Sequence, residues 1–579
     1  MVLFTVRQLD YFVFILASFA VVEIFKFFAS SFLSFKYGDK VICVGKGFYV
    51  SFLAVLVIGW LSAEYKGFLA DKEFKHAMLF QAEGIAATIN EKHVAGLTFT
   101  EKDRGSPGFE RINSQVVSYG NYVGNLRGIY SMVKKDGNIV FGPENYSADD
   151  PLASDPGEIY KLPDKSLKQV FEDGTARFAG PFTDEYGTFV SAFAPVFSKN
   201  NGEIILVIGI DVLASDWQKV IHGARGHSMV RTLIFILFFF SFFTMVKVRD
   251  LTKRKNIWFL KYLETEMFFI SGFAIAIIFG MNAYKLAEIS NKDEMMSLAK
   301  AKVQFIRQEF FETRRYVEAL ARLVKTVYIK DNSFERLMDP MMASGKVSSI
   351  KLVELKENKT AATIYRVPER SDIVKENIEE EIPCFYEAAS SAIKKKMSVN
   401  VDCDNKGQSL DWVIITPLCS KFDDGEKRVL VTTFDMKASI NRIYASSKFQ
   451  NDKLTFNLKM VFQDGTAKSI LSDVDSSLSH PNLSEVVSGP LFVFGSTFAI
   501  DITAAAPPFL SNGLIIGVVI ALLTLIAATF FALFVAAMQK REGTLEAAVQ
   551  SRTRELLESV ERFNLACQGK VEMSCFLQS

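Results

Sequence analysis

An uncharged stretch of 26 residues, from Gly513 to Met538, constrains this chain more than any other feature. At 1.5 Å per residue, a helix of this length crosses the roughly 30 Å of hydrocarbon in a bilayer. A helix in a soluble core is rarely apolar on every side over such a distance. Hydrophobic residues make up 49% of the 579 residues, so we expect part of the chain to lie in a membrane.

Four further apolar segments bring the predicted number of membrane spans to five. They are residues 11–35, 48–63, 228–248 and 267–281. The first contains Glu23 and Lys26, one helical turn apart. Intramembrane charges can mark an ion path, but an ion pair satisfied within the helix is the favoured interpretation.

Basic residues between the spans predict the orientation, because loops rich in Lys and Arg remain in the cytoplasm. Such residues lie in two loops and after the last span: Lys36, Lys40, Lys46, Lys247, Arg249, Lys253, Arg254, Lys255, Lys540 and Arg541. The N-terminus lacks the features of a cleavable signal peptide and is interpreted as an anchor. The expected order is two membrane helices (1–64), an outer domain (65–227), two membrane helices with a basic cytoplasmic loop (228–281), a second outer domain (282–511), a membrane helix (512–538) and a cytoplasmic tail (539–579).

The first outer domain has the pattern of an antiparallel sheet behind an N-terminal helix. Residues 128–133 and 138–142 are predicted strands joined at Asp136-Gly137, a pair that tolerates the positive φ angles of a tight hairpin. A second hairpin is predicted from residues 187–197 and 203–212. One face of such a sheet packs under the helix, and the other is free to form a pocket closed by loops.

The run AGPFTDEYGTFVSAFAPVF (179–197), followed by GEIILVIGIDV (202–212) and Trp217, resembles the extracytoplasmic PAS-like Cache domains of bacterial receptors. The resemblance covers about 150 residues and implies that the domain senses a small ligand. By position, the pocket candidates are Tyr130, Asp184, Tyr186, Ser191 and Asp211. The alternative is structural: Tyr186 would be a core aromatic residue and Asp211 would cap the following helix.

The second outer domain is predicted to begin with a long helix that has one apolar seam. Its residues follow a 3,4 spacing: Ile289, Met296, Ala299, Val303, Ile306, Phe310, Thr313, Val317, Leu320 and Val324. This seam is expected to serve as a dimerisation stalk (289–324), as the spine on which the domain packs, or as both. Alternating strands and helices follow it, including a half-buried strand at residues 454–462 and a last strand at 498–502.

The order of these elements resembles the CHASE domain, a sensor module of kinases and diguanylate cyclases. The matching stretches include SSIKLVEL (348–355), WVIITPL (412–418), RVLVTTFDM (428–436) and FGSTFAIDITAAAPPF (494–509), although SGKVSSIKL replaces the Pro-Gly-Ile-Gln-x-Leu type of stretch. By position, the ligand candidates are Trp412, Thr416, Thr433 and Asp435, with core packing as the alternative. The predicted fold class is therefore a multi-pass α-helical membrane protein with two extracytoplasmic α/β, PAS-like sensor domains and a short cytoplasmic coiled-coil helix.

The sequence predicts neither catalysis nor a cofactor. There is no glycine-rich phosphate loop, nucleophile elbow or His-Glu-x-x-His motif, and neither the five histidines nor the cysteines have metal-ligand spacing, so we assign no metal. One disulfide is possible among Cys384, Cys403 and Cys419 on the outer side, with free thiols as the alternative. The formal net charge of +1 gives no indication of nucleic-acid binding.

The tail predicts a short coiled coil over residues 545–563, and LEAAVQSRTRELLESVERFNLACQG (545–569) resembles the linker into a cytoplasmic PAS domain of sensor histidine kinases. The tail contains no histidine and no ATP-binding sequence. We expect a homodimeric input half of a two-component sensor histidine kinase in the bacterial inner membrane, separated from its output domain and in contact with lipid and a small-molecule ligand. The alternatives are a stand-alone interaction subunit and the input half of a diguanylate cyclase.

Overall fold

The computed structural model describes residues 2–37, 46–147, 149–252, 263–326, 334, 338, 342, 347–356, 361–367, 378, 382, 384–401, 411–418, 427–435, 454–472, 483–505 and 512–576. The chain divides into two compact units. The first comprises Met1–Glu64, Gly226–Asn291 and Pro507–Ser579, and the second comprises Tyr65–Arg225 and Lys292–Ala506.

The first unit is built from segments of five long helices. They are α1 (Val2–Tyr37), α2 (Lys46–Thr88), α6 (Ala214–Thr252), α7 (Leu263–Thr326) and α9 (Asn512–Phe576). Within the described ranges, three stretches are long and apolar enough to cross a membrane: Leu9–Phe28, Phe52–Thr88 and Gly513–Leu565. Phe268–Tyr284 is a shorter apolar stretch, and the predicted span at 228–248 is helical within α6.

In α1, Lys26 Nζ lies 3.0 Å from a carboxylate oxygen of Glu23. The two side chains therefore form the i,i+3 ion pair that the sequence analysis favoured over an ion path.

Small residues bring α7 and α9 into close contact inside the first unit. Gly272, Ala276 and Gly280 lie on one face of α7 because they are four residues apart. A Cβ atom added at Gly280 would lie 2.8 Å from the carbonyl oxygen of Gly517 and 2.8 Å from Cβ of Ala521. Backbones that approach this closely leave no room for a side chain, which is the usual basis of helix pairing in lipid.

We expect Gly280→Leu to lower the thermal midpoint of the full-length protein in detergent by several degrees, because overpacking of a close contact costs about 1–3 kcal/mol. Phe279→Leu is the matched control, since Phe279 is 54% exposed. Equal midpoints for the two variants would show that the α7–α9 contact does not contribute to stability.

The second unit contains a five-stranded antiparallel sheet, sheet A, from residues 65–227, which we call the first outer segment after its predicted location; residues 282–511 are likewise called the second outer segment. Its strands are β1 (Gly128–Lys135), β2 (Asn138–Glu144), β3 (Arg177–Thr183), β4 (Thr188–Phe197) and β5 (Ile204–Leu213), in the order β2-β1-β5-β4-β3. Asp136 and Gly137 have φ angles of 49° and 81°, so the predicted hairpin turn is present. The short α3 (Glu91–Val94) and a 3-10 turn (Glu101–Asp103) precede α4 (Pro107–Val123).

The two faces of sheet A are covered by different elements. Ile129, Val190 and Ile208 face a core formed with α2 and α4. Tyr130, Phe193 and Val207 face the opposite side, where α5 (Lys165–Asp173) and the segment before it pack. The first face lies under helices, as predicted, whereas the second face is covered by α5 as well as by a connecting segment, and not by loops alone.

The second outer segment contains two sheets. Sheet B consists of β6 (Val347–Leu355), β7 (Ala361–Val367), β8 (Val399–Asn400), β9 (Asp411–Leu418) and β10 (Lys427–Asp435), in the order β7-β6-β10-β9-β8, with α8 (Phe385–Lys395) on one face. Sheet C consists of β11 (Leu454–Val461), β12 (Ala467–Ser472), β13 (Leu483–Val493) and β14 (Ser496–Ala505), in the order β12-β11-β14-β13. The residue pattern of this segment also predicts a helix at 437–447, which lies outside the described residues.

The apolar seam of α7 is the spine of this segment. Ala299, Val303, Ile306, Val317 and Leu320 are at most 1% exposed, and they share one core with residues of sheets B and C. A dimer formed through these seam residues would have to open that core. The seam therefore serves as the spine on which the segment packs, and dimerisation through residues 289–324 remains a prediction.

Helix α4 of the first outer segment packs on sheet C of the second outer segment. The Tyr122 hydroxyl donates to Asp501 Oδ2 at 2.9 Å, and Lys459 Nζ lies 2.6 Å from the same oxygen. The ring of Tyr119 meets that of Phe492 edge-on, with the centroids 6.1 Å apart. Both segments accordingly belong to one unit.

Candidate functional site

A small cavity lies on the face of sheet A on which α5 packs. It is lined by aromatic and acidic side chains: Tyr130, Phe141, Glu144, Tyr146, Leu152, Ser154, Tyr160, Asp184, Tyr186, Phe189 and Asp211. A β-bulge between Tyr130 and Met132 changes the register of β1 and places Tyr130 opposite Glu144. Tyr130 crosses above Gly209 on the neighbouring strand, where a side chain would collide with its ring.

Asp211 is a buried carboxyl group of the cavity, with 8% of its surface exposed. The hydroxyls of Tyr130 and Ser191 both donate to Oδ1, at 2.9 and 2.6 Å. Among the described residues, no donor contacts Oδ2. Burial raises the pKa of Asp211 to about 7, although the two hydroxyls oppose that shift. The group therefore changes charge near neutral pH, and one of its oxygens is available to a guest.

Glu144 supplies a second buried carboxyl group. It is 6% exposed, and the amide of Ser154 donates to its Oε1 at 2.8 Å. Burial raises the pKa of Glu144 to about 8, with a smaller contribution in the same direction from the charge of Glu158. Removal of a carboxylate from water explains both raised pKa values.

Aromatic rings surround these acids. Phe141 contacts Tyr130, Tyr160 and Tyr186, at centroid distances of 5.9, 5.1 and 5.8 Å. The ring of Tyr146 lies over Gly128, where an added Cβ would collide with it. The cavity therefore presents π faces and carboxylates, and no Lys or Arg is among its described lining residues.

Asp184 has a structural role beside the cavity. Its Oδ1 accepts from the amides of Tyr186 and Gly187, at 2.9 and 3.1 Å, and closes the turn between β3 and β4. Its Oδ2 accepts from the Tyr160 hydroxyl at 2.5 Å. Because both oxygens have protein partners, Asp184 positions Tyr160 and Tyr186 rather than presenting a free acceptor.

The cavity is small in this conformation, with a volume of about 20 Å³, which is room for about one water molecule. Beyond Glu144, Tyr146 and Ser154 lies an open cavity of about 790 Å³, which these three residues also line. Arg127 holds the separating segment: its Nη2 pairs with Asp150 at 3.0 Å, and its guanidinium lies 5.3 Å from the centroid of the Tyr146 ring. Displacing this segment would join the two spaces.

Four of the five predicted residues of the first segment line the cavity, namely Tyr130, Asp184, Tyr186 and Asp211; Ser191 supports Asp211 from behind. Sequence reasoning missed Glu144, Tyr146 and Tyr160. Of the three, only Glu144 could have been found from its neighbours in the sequence, because it is an acidic residue at the end of an apolar strand. The two tyrosines lie on or beside a connecting segment with no periodic pattern.

The candidates of the second segment do not form one site. Trp412 and Thr416 share one face of β9 with Ile414, and Trp412 packs against Phe310, Phe494 and Phe498 with centroids 5.2–5.8 Å apart. Thr433 pairs with Val413 and lies on the opposite face, where Ser349 donates to its hydroxyl at 3.0 Å. The side chain of Asp435 lies outside the described residues.

Thr416 has a hydroxyl partner in Ser398 at 3.0 Å. Because Trp412 packs against three phenylalanine rings, it is a core aromatic residue, which was the alternative to a role in ligand binding. Alternation of side chains along a strand separates Thr433 from Trp412 and Thr416.

Cys384 is an exposed free thiol at the start of α8, while Cys403 and Cys419 lie outside the described residues. The predicted disulfide remains a prediction. Within the described ranges, no group of three or more His, Cys, Asp or Glu side chains could hold a metal ion.

The chain matches no protein-family model and no curated protein. It is similar to several solved sensor domains. One is the ligand-binding domain of the Pseudomonas aeruginosa amino acid chemoreceptor PctC in complex with GABA, at 14% identity and a TM-score of 0.28, covering 37% of this chain and 99% of that chain. Another is the sensory domain of the Campylobacter jejuni chemoreceptor Tlp3, at 12% identity and a TM-score of 0.25, covering 39% of this chain and 97% of that one. A third is the periplasmic domain of RsbU from Chlamydia trachomatis, at 12% identity and a TM-score of 0.25, covering 38% of this chain and 95% of that chain.

Proposed function

We propose that this protein is a transmembrane receptor whose first outer segment binds a small organic amine in the Asp211 cavity. The observation that carries the proposal is the pairing of two buried carboxyl groups, Asp211 and Glu144, with a wall of aromatic rings. The three apolar stretches long enough to span a membrane support the membrane location.

An ammonium group matches this cavity in charge and in surface. A carboxylate attracts a cation strongly where water is excluded, and the faces of Tyr and Phe rings attract it further. An anionic ligand would instead meet two acids without a described Lys or Arg in the lining. The aliphatic part of an amine would pack against Phe141 and Phe189.

The signal route begins at the cavity. Asp211 lies three residues before the start of α6, which runs from Ala214 to Thr252. Trp217 near the start of α6 donates to Asp71 of α2 at 3.0 Å. A shift of β5 on ligand binding would move both helices, and a ligand changes such an equilibrium by its differential affinity for the two states.

The output is proposed to act through the last helix, α9. Val549, Leu556 and Phe563 are 57–69% exposed along it at heptad spacing, which favours a homodimeric coiled coil on the cytoplasmic side. The proposed role is the input half of a two-component sensor histidine kinase of the bacterial inner membrane. A diguanylate cyclase input half or a stand-alone interaction subunit would use the same helix.

A thermal-shift comparison of the full-length protein in detergent tests ligand class. Putrescine and 1,4-butanediol have the same length, but putrescine carries ammonium groups where the diol carries hydroxyls. Ethanolamine and ethylene glycol form a second such pair, which differs in one group. An amine at about 100 times its dissociation constant should add roughly 2.7 kcal/mol of stability, and the matched diol should add none. Equal shifts for amine and diol, or no shift with any amine, would contradict the proposal.

Amine binding should strengthen as pH rises from 6 to 8. The empty cavity holds protons on groups with pKa values of about 7 and about 8, and an ammonium guest requires them ionised. Below those pKa values, each proton that binding must release weakens affinity by about tenfold per pH unit. Titration calorimetry at pH 6 and pH 8, in buffers of different ionisation enthalpy, would measure the affinity and the number of protons released on binding. An affinity that does not depend on pH would show that these two carboxyl groups do not bind the amine.

A further inference from the structure

A second cavity, distinct from the amine cavity, lies where α4 of the first outer segment meets the second outer segment. Its volume is about 340 Å³. One wall is a face of α4 that carries Arg111, Ser114 and Ser118, and the others include Lys395 at the end of α8 and Ser496 of β14. We call it the junction cavity.

Arg111 is the notable group in this cavity. It is 7% exposed, and its one hydrogen bond among the described residues is a long one, from Nη2 to the Ser398 carbonyl at 3.4 Å. No carboxylate of the described residues pairs with it. Burial lowers the pKa of Arg111 to about 10, so the guanidinium is still cationic at neutral pH. Most of its five N–H donors have no hydrogen-bond partner among the described residues.

Arg307 provides an internal comparison, because it is also 7% exposed. Its Nε and Nη2 both donate to the Pro490 carbonyl, at 3.2 and 3.0 Å. Arg307 is thus held by a backbone acceptor and does not line the junction cavity, whereas Arg111 does.

The backbone of the second segment is shaped around Arg111. The β13–β14 hairpin turns at Phe494 and Gly495, with φ angles of 48° and 87°. The guanidinium of Arg111 occupies the space that a Cβ at Gly495 would fill. This glycine allows a cation from the first segment to reach the cavity wall of the second.

The other charges facing the cavity are Lys395 and Glu110. Lys395 is exposed at the rim, and Glu110 is exposed with its Oε1 accepting from the Gly105 amide at 3.2 Å. The hydroxyl of Ser496 has no hydrogen-bond partner among the described residues. A buried guanidinium, an ammonium and a free hydroxyl together match the oxygens of a carboxylate or phosphate.

We propose that the junction cavity binds a small oxyanion, the carboxylate or phosphate group of a soluble organic acid or phosphate. The anion bridges Arg111 of the first segment to Lys395 and Ser496 of the second. Binding therefore stabilises the docking of α4 on sheet C, independently of any amine in the Asp211 cavity.

Titration of the full-length protein in detergent with inorganic phosphate and with succinate, at constant ionic strength set by sodium chloride, tests this proposal. We expect saturable binding of at least one anion. Arg111→Gln should weaken it about tenfold or more, and Lys395→Gln about threefold, because each removes a cation that contacts the anion. Glu110→Gln should strengthen it, since it removes the opposing charge.

Lys394→Gln is the matched control, because Lys394 is an exposed neighbour of Lys395 that does not line the cavity. Its affinity for the anion should equal that of the wild type. If Arg111→Gln does not fold, the other two variants test the proposal, because Lys395→Gln should weaken anion binding and Glu110→Gln should strengthen it. No saturable binding of either anion, or an equal loss with Lys394→Gln and Lys395→Gln, would overturn the proposal.

Discussion

Asp211→Asn is expected to weaken amine binding about 100-fold, because removing one partner of a buried charge pair costs roughly 2–5 kcal/mol. The empty cavity should tolerate the change. The amide oxygen of Asn can still accept from Tyr130 and Ser191, whose hydroxyls both donate to one oxygen of Asp211. The variant thus separates ligand recognition from folding, and titration calorimetry with the amine identified by the thermal-shift comparison measures the loss.

The same substitution should change how stability depends on pH. The pKa of Asp211 is raised from 3.8 to about 7 in the folded protein, so the folded state binds more protons than the unfolded state between these values. The contribution of Asp211 to wild-type stability accordingly falls as pH rises from about 4 to about 7. The difference between Asp211→Asn and wild type should grow in favour of the variant by a few kcal/mol between pH 5 and pH 8.

Asp136→Asn is the control for this experiment. Asp136 is exposed, and its φ of 49° in the β1–β2 turn suits Asn. Neither amine affinity nor the pH profile should change. If Asp211→Asn behaves like Asp136→Asn in calorimetry, the amine does not bind at Asp211.

Trp412→Ala is expected to destabilise the second unit by about 3–5 kcal/mol, the usual cost of removing a large aromatic side chain from a core. Trp412 is 7% exposed and joins α7, β9 and sheet C through contacts with Phe310, Phe494 and Phe498. The thermal midpoint of the full-length protein should fall by several degrees or more.

Trp412→Phe should cost less than half as much. The ring volume is largely kept, and the indole Nε1 has no hydrogen-bond partner among the described residues. Amine affinity should remain within about threefold of wild type in both variants, because Trp412 does not line the Asp211 cavity. A strong loss of affinity with an unchanged midpoint would instead identify Trp412 as a ligand contact.

Local patterns predicted much of the fold, because each depends on neighbours in the chain. The Asp136-Gly137 pair predicted a hairpin that is present, and the alternation at 454–462 predicted β11. The seam of α7 predicted a buried stripe, and the structure shows which partner covers it.

Two strands of sheet C, β12 and β13, were not predicted from the sequence, and the reason is physical. β13 contains Gly489-Pro490, a pair that usually ends a strand, and it is tolerated because β13 is the edge of sheet C. β12 has six residues, of which three are polar, and it occupies the opposite edge. Both strands depend on pairing with β14 or β11, so single-strand patterns did not reveal them.

The sequence by itself determined the apolar stretches, the hairpins and the residue types available to a pocket. Only the tertiary structure decided which acids lose contact with water. Asp184 and Asp211 look equivalent in sequence, yet Asp184 is satisfied by its own turn while Asp211 is enclosed by Tyr130 and Ser191 from other strands. Likewise, Tyr122 meets Asp501 across 379 residues. Desolvation and charge pairing depend on neighbours in space, which local periodicity does not encode.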